Sequence, residues 1–527
     1  MDFGRKPGNK SYSDDSTSTL RMNILKNPEK PAVICEDVML TWRQVWERSN
    51  RLANAFIRLG LKKEDRVLVF LPNCLEYMET YIAGNKIGLI STAGNFRLTG
   101  QEVAYQLNDS GAKAIILKTK EQYDNIVAVK DKVPALEHII MIDDGAPAGV
   151  HSYYSLLDSA SPNDPDASVK PEDVHMLMYT SGTTGNPKAA ARSLKSDYHM
   201  SNAVCHELGL CEDDIYLAIA PLYAAASIGY AYSAMLSGGT IAIVPSFIPD
   251  KVFYYIEKYR ATWLFMVPIM YDWTFMTPED VRSKYDTSSL RHVVSCGAPL
   301  HNTTAAKMID CFKSAEISNW LGASEFGFIT RCSYRDGLKG DGCIGKALFD
   351  LELKIFDEKG APVKDGEPGI LYGRGFSMWE GYLNKPEATQ EAYLDHEWGT
   401  VGDIARLGDD GNYYIVDRKN DMIISGGINI YPVEVENVLK RHEAIADLAV
   451  IGVPDEKWGE AVKAVVVLKK GITVTENELI EFCRKELAGF KVPKSVDFAE
   501  QIPRSFIGKP LKKDLRKKYW EGRNSVI

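Results

Sequence analysis

The stretch YTSGTTGNPKAA, Tyr179 to Ala190, decides how this chain is read. It follows an apolar run, VHMLMYT, that reads as a strand. Within a few positions it gathers Gly182 and Gly185, the hydroxyls of Thr180, Ser181, Thr183 and Thr184, and the ammonium of Lys188. Glycine carries no Cβ, so the backbone can approach an anion closely. Successive backbone N–H groups in such a turn form an anion-binding concavity. The hydroxyls add donors and Lys188 adds a fixed positive charge, which suits a polyphosphate. The Walker A loop is excluded, because Lys188 follows Asn-Pro and precedes Ala189. Taken alone, the stretch also fits a flexible Gly/Thr surface loop.

The rest of the chain frames that choice. At 527 residues it is too long for one ordinary core, and two or more domains are expected. Its 45% hydrophobic and 25% charged residues are those of a globular protein. A net charge of −9 leaves no overall electrostatic footprint for nucleic acid. Nine cysteines with no CxxC pair read as reduced, mostly buried thiols of a cytoplasmic protein. The polar start, MDFGRKPGNKSYSDDSTSTL, has no apolar h-region, so no signal peptide is expected.

From Ile215 to Pro249 there is no charged side chain, a length that could span a bilayer. Pro221, Gly229 and Gly238-Gly239 interrupt the stretch, and alanine, serine and tyrosine dominate it. A buried strand-loop-helix-strand segment lining a pocket is the better reading, with no integral membrane segment.

Short apolar runs alternate with helical patterns over most of the chain: RVLVFLP, AIILK, HIIMI, TIAIVP, TWLFMVP and RHVVSCG read as strands. The alternation predicts an α/β fold, with a large N-terminal domain of stacked mixed and parallel sheets. After YYIVDRKNDMIISGGINIYP the texture changes to a compact α+β unit. The expected division is a polar tail over 1–22, a large domain over 23–419, and a small C-terminal domain over 420–527.

Further stretches are SCGAPL (295–300), LGASE (321–325), GYLNKPEAT (381–389), WGTVGD (398–403), DRKNDMIISGGINIYPVEVE (417–436), GVPDEKWGE (452–460) and PRSFIGKPLKKDLR (503–516). With the opening loop, in this order, they resemble the adenylate-forming superfamily of acyl- and aryl-CoA synthetases. The resemblance implies an AMP-forming acid–CoA ligase. A carboxylic acid and ATP give an acyl-adenylate and pyrophosphate, and the thiol of CoA then displaces AMP.

The resemblance also assigns roles. Thr180, Ser181, Gly182, Thr183, Thr184, Gly185 and Lys188 would hold the β- and γ-phosphates. Glu325, with Thr184, would bind Mg²⁺, a cation that needs few protein carboxylates when phosphate oxygens complete its shell. Ser324 would lie near the α-phosphate. Gly297, Ala298, Pro299, Leu321 and Gly322 would form the adenine site, with Leu321 where tyrosine is usual. Asp403 would accept the ribose hydroxyls and Arg418 would contact ribose and phosphate. Lys509 would bridge the substrate carboxylate and the α-phosphate, while Lys512, Lys513, Arg516, Lys517 and Lys518 read as solvated charges.

The resemblance further implies rotation of the small domain between half-reactions, with a hinge at Asn420. Gly426 and Gly427 would lie along pantetheine, and Lys491 could meet CoA phosphates. Tyr223, Ala224, Ser227, Met270 with the strand near it, and Trp320 would line the acid pocket. Ala224 stands where histidine is common, which favours an aromatic or compact cyclic acid. Tyr223 and Trp320 are equally readable as plain core aromatics. Two other readings stay open: an adenylation enzyme that loads a separate carrier protein, and an ATP-binding module without ligase activity. The partners expected are a small carboxylic acid, ATP and CoA, with a homodimer left open.

Overall fold

The computed structural model describes residues 16–142, 145–180, 187–340, 342–418, 421–425, 428–455, 457–504 and 510–521. Continuous apolar runs become strands buried on both faces, as parallel sheets covered by helices require. His292–Cys296 is buried at every residue, and so is Trp263–Met266. These two strands lie side by side in a sheet of fifteen strands among the described residues. One half of it is parallel, with Cys35, Ile243, Ala218, Met266, Cys296 and Ala323 ending neighbouring strands. Beyond Glu316–Ala323 the strands of this sheet, as far as Arg418, instead pair antiparallel. The sheet is therefore mixed.

A second sheet of eight strands is parallel across its centre, where Arg66–Phe70 lies between Ile90–Ala93 and Ala114–Leu117. At its edge Val174–Thr180 pairs antiparallel with Lys188–Ser193.

The uncharged segment finds its explanation here. It forms the strand Ile215–Ala218, the helix Ala225–Leu236 and the strand Thr240–Ile243. Both strands lie within the first sheet. The helix is buried from Ser227 onward. It meets Leu75–Ile87, a helix buried at every residue: Asn85 donates to the Tyr232 hydroxyl at 3.0 Å, and Tyr81 meets the Tyr232 ring edge-on. A helix apolar on all sides belongs in a core or a membrane. Here twelve residues are too few to span a bilayer. Among the described residues no helix is long and apolar enough to cross a membrane.

The chain leaves the large sheet at Arg418 and enters a separate five-stranded sheet at Ile423. Its longest strand, Ile445–Asp455, lies at one edge beside Gly459–Leu468 and alternates between two cores, as a strand covered on both faces must. Leu448 and Val450 join Val435, Leu439 and Leu479 from the helices Pro432–Leu439 and Glu476–Arg484. Ala449, Ile451 and Val453 face Leu515 and Tyr519 of the helix Lys512–Trp520.

Two expectations are corrected. Residues 1–22 are not all a polar tail: Ser16–Lys26 is a helix, Leu20 is buried, and Asn23 donates to the Met235 carbonyl at 2.8 Å. Nor are all the C-terminal cations solvated. Lys512 pairs with Glu436 at 2.9 Å and Arg516 with Glu460 at 3.2 Å, each cation less than a fifth exposed. Lys512 and Arg516 are four residues apart, on one helix face. All nine cysteines are free thiols.

Candidate active site

The opening stretch lies at a hairpin base. Thr180 ends one strand opposite Lys188, which begins the next, and Thr180 Oγ1 donates to the Lys188 carbonyl at 3.4 Å. Ser181, Gly182, Thr183, Thr184 and Gly185 lie outside the described residues.

Beside this base runs a two-residue strand, Gly381–Tyr382, paired to Ala191 and Ala190. It carries Tyr382 to the hairpin. The Lys188 ammonium lies 5.0 Å from the centre of the Tyr382 ring, within cation–π range. The Tyr382 hydroxyl donates to Glu325 Oε1 at 2.7 Å. Burial and the Glu325 carboxylate both push the Tyr382 phenol above its ordinary pKa, so it keeps its proton and donates.

Glu325 sits in the turn between the strands Glu316–Ala323 and Gly327–Ser333, and is 6% exposed. Gly327 follows it at φ +70°, where a Cβ would meet Met200 Sδ at 2.6 Å, so the turn requires glycine. Ser324 is half-buried in the same turn.

Beneath the turn lies a buried network. Arg192 donates through Nη1 to the Glu325 carbonyl at 3.4 Å and through Nε to Asp197. Asp197 also bonds His175 at 2.9 Å, and His175 reaches Asn85 at 3.0 Å. Burial alone would raise the Asp197 pKa; Arg192 and His175 outweigh it and hold the carboxyl at about 2. Arg192 thus fixes the backbone of Glu325, and Tyr382 fixes its carboxylate.

The residues expected around adenine lie at the carboxyl ends of adjacent parallel strands, where open α/β sheets place ligands. His292–Cys296 delivers Gly297, Ala298 and Pro299, and its neighbour delivers Leu321 and Gly322, with Cys296 opposite Trp320. Leu321 is half-buried and Pro299 exposed. Further along the sheet Asp403, 4% exposed, stands in register opposite Arg418.

The acid side agrees less well with expectation. Trp320 is 2% exposed, donates to Ser318 Oγ at 2.9 Å and packs edge-on against Tyr230 and Phe328. Ser227 is fully buried and donates to the Ala220 carbonyl. Both are core residues, so neither lines a pocket. The strand expected near Met270 forms as Trp263–Met266, and Met270 itself lies on the helix that follows, Pro268–Phe275, where Pro268 suits a first helical position. Tyr223 is also buried, its ring edge-on to Phe96 at 5.8 Å, and half-buried Ala224 follows it. Asn73 pins this loop, donating to the Ala220 and Val244 carbonyls and accepting from the Leu222 N–H.

In the C-terminal domain Lys491 pairs with Glu434. Asn420, Gly426, Gly427 and Lys509 lie outside the described residues.

Sequence reasoning missed Tyr382, Arg192, Asp197, His175 and Asn73. Tyr382 stood inside a quoted motif, and that was the one available signal. The others meet only through the fold.

Residues 20–383 match the family described as AMP-binding enzyme, and residues 434–509 its C-terminal domain. The chain belongs to the AMP-binding enzyme family. Its relatives are acid–thiol ligases, and they match nearly end to end. A feruloyl-CoA synthase from Amycolatopsis is 36% identical, over 94% of this chain and 96% of that protein. A long-chain-fatty-acid–CoA ligase from Mycobacterium tuberculosis is 32% identical, over 95% and 97%. Among solved structures, ATP-bound MatB from Rhodopseudomonas palustris matches with a TM-score of 0.87 at 27% identity, over 96% of this chain and 99% of that one. Its apo form matches over the same shares with a TM-score of only 0.77. One protein underlies both values, so the difference is conformational. The present AMP-binding enzyme is arranged more like the ATP-bound form.

Proposed function

We propose that this protein is an AMP-forming acyl- or aryl-CoA synthetase with an aromatic or compact cyclic acid as substrate. The observation that carries the reading is the convergence of Lys188, Tyr382 and Glu325. Three distant segments bring a cation, a neutral donor and a buried carboxylate to the base of the Gly/Thr hairpin. Such fixed charges and dipoles, aimed where charge develops, supply much of the catalysis in phosphoryl chemistry.

In the first half-reaction a carboxylate oxygen attacks the α-phosphorus of ATP and pyrophosphate leaves. The hairpin and Lys188 hold the β- and γ-phosphates. Lys509 bridges the two reacting anions, Asp403 orients the ribose, and Leu321 packs on the purine. Glu325 and Thr184 would hold Mg²⁺. Oε1 of Glu325 is engaged by Tyr382, and among the described residues no hydrogen bond is made to Oε2, which fits a cation that takes one protein carboxylate and phosphate oxygens. When bound, that ion neutralises charge on the pyrophosphate. In the second half-reaction the C-terminal domain turns about Asn420 and brings Gly426 and Gly427 along pantetheine. The sulfur of CoA then attacks the acyl carbon and AMP leaves.

Half-buried Ala224 to Ala226 follow the Tyr223–Phe96 ring pair, and their small side chains suit a flat ring. The name of the feruloyl-CoA synthase relative supports the same class. The test is ATP–pyrophosphate exchange over hydroxycinnamic, benzoic, octanoic and palmitic acids, then thioester formation with added CoA. Fastest exchange with a ring acid, followed by thioester, is the expected result. Exchange without thioester would favour loading of a carrier protein, and a preference for palmitic acid would overturn the substrate class.

A further inference from the structure

The C-terminal domain meets the large domain through a chain of side chains that no role above uses. It starts at His301, two residues after the adenine stretch Gly297–Pro299. His301 stands at the start of the helix Asn302–Cys311, but its side chain does not cap that helix. Its Nε2 accepts a hydrogen bond from Lys440 Nζ, across the domain boundary. Lys440 ends the helix Pro432–Leu439, one turn after Glu436. Glu436 Oε1 accepts the Val450 N–H at 2.8 Å and pairs with Lys512 at 2.9 Å.

Lys512 lies two residues beyond the closed base of the segment that carries Lys509. Arg504 and Pro510 form a β-bridge, and the Leu511 N–H donates to the Pro503 carbonyl at 2.8 Å. Arg504 is itself held by Asp447 through two nitrogens. The residues on either side of 505–509 are thus tied together, and Arg504 is held to the domain body through Asp447, a carboxylate that faces Lys440.

We propose that His301, Lys440, Glu436 and Lys512 form a docking relay. It seats the C-terminal domain against the adenine stretch and sets the base of the Lys509 segment in the same movement, so they are positioning residues for adenylation. The inference rests on the reading of Lys509 given above.

The charges agree with the geometry. Burial, and then the Lys440 ammonium, push the His301 imidazole down to about 3, so at neutral pH it is uncharged and free to accept. Burial alone would raise the Glu436 carboxyl; Lys512 and Lys440 outweigh it and hold it below its ordinary value. Asp272, which accepts from Thr304 at 2.7 Å, faces Lys440 and Arg504 from the large domain and adds an opposite charge across the seam. An exposed ion pair would do little here. In the Glu436–Lys512 pair, however, the side chains are only 13% and 10% exposed.

The test uses the full-length enzyme, the panel acid with the fastest exchange, and that acid's chemically prepared adenylate. His301→Ala and Lys440→Met should each slow ATP–pyrophosphate exchange by roughly 10- to 100-fold, the span of a hydrogen bond to a charged group. Thioester formation from the supplied adenylate should stay within about threefold, since that step does not need this docked arrangement. His301→Gln, which keeps an acceptor, should restore most of the exchange. Circular dichroism and denaturation midpoints report whether each variant is folded. Equal loss in both half-reactions, or unchanged exchange in folded variants, overturns the relay. Lys509→Ala, run in parallel, separates the two readings. If it leaves exchange intact, the role of Lys509 fails; if it abolishes exchange while folded His301→Ala does not slow it, the relay alone fails.

Discussion

Replacing Tyr382 by phenylalanine removes one oxygen atom and tests the construction of the active site. The ring stays, and with it the contact to Lys188 at 5.0 Å. What goes is the 2.7 Å hydrogen bond to a carboxylate that is 6% exposed. A hydrogen bond to a charged group contributes about 1.5–3 kcal/mol, and water has little access to replace this one. At about 1.4 kcal/mol per factor of ten, kcat/KM for exchange should fall roughly 10- to 150-fold. The loss should shrink as Mg²⁺ is raised, because the missing hydroxyl no longer holds Glu325 in place for the cation. Glu325→Gln and the double variant complete a cycle. Strong non-additivity is expected, since Tyr382 acts through Glu325. Exchange within twofold of the parent at every Mg²⁺ concentration, or additive losses in the cycle, would refute the reasoning.

Three further outcomes follow from the same geometry. Asp197→Asn leaves Arg192, 3% exposed, without its charge partner and should cost about 3–5 kcal/mol in urea denaturation at pH 7. Because the folded Asp197 carboxyl lies below its ordinary 3.8, at about 2, its contribution is full above pH 3.8 and is lost as pH falls through 2. The gap between parent and variant should therefore close below pH 3.8. Gly345→Ala should cost more than about 4 kcal/mol or give insoluble protein. Gly345 has φ +80° in a bulge, and its Cβ would lie 1.9 Å from the Arg331 carbonyl oxygen; a loss below 1 kcal/mol would contradict this. Leu321→Tyr should lower the KM for ATP about two- to tenfold by restoring an aromatic face to the purine, a gain of about 0.5–1.5 kcal/mol. An unchanged KM would remove Leu321 from the adenine site.

The parallel half of the fold was legible because buried strands announce themselves. RHVVSCG and TWLFMVP are apolar throughout, since helices cover both faces. The antiparallel strands were not. Leu351–Phe356 alternates buried and exposed residues, and Gly381–Tyr382 is too short to have a pattern at all. The strand that completes the active site is therefore the one a sequence displays least. The basic C-terminal run misled for another reason: charge count hid a face. Lys512 and Arg516 share one helical spacing, and Leu515 and Tyr519 share another, packed on the small sheet. Read by period rather than by composition, the run is an amphipathic helix.

The same contrast explains why the phosphate side of the site was easier to find than the acid side. Binding a polyphosphate requires particular chemistry at particular positions, so its residues stand out as motifs. Holding an apolar acid requires only shape. Trp320 and Ser227 show the consequence: both sit on the right segments, yet each is committed to the core, Trp320 through Ser318 and Phe328, and Ser227 through the Ala220 carbonyl. In the reading proposed above, Tyr223 with Phe96, the small residues after it, and Met270 shape the acid site. Asn73 holds that loop by its backbone and not by its side chains. Substitutions at Ala224 to Ala226 can therefore change the pocket without disturbing its frame. Specificity in this enzyme should move there first, while Glu325, Tyr382 and Lys188 stay fixed.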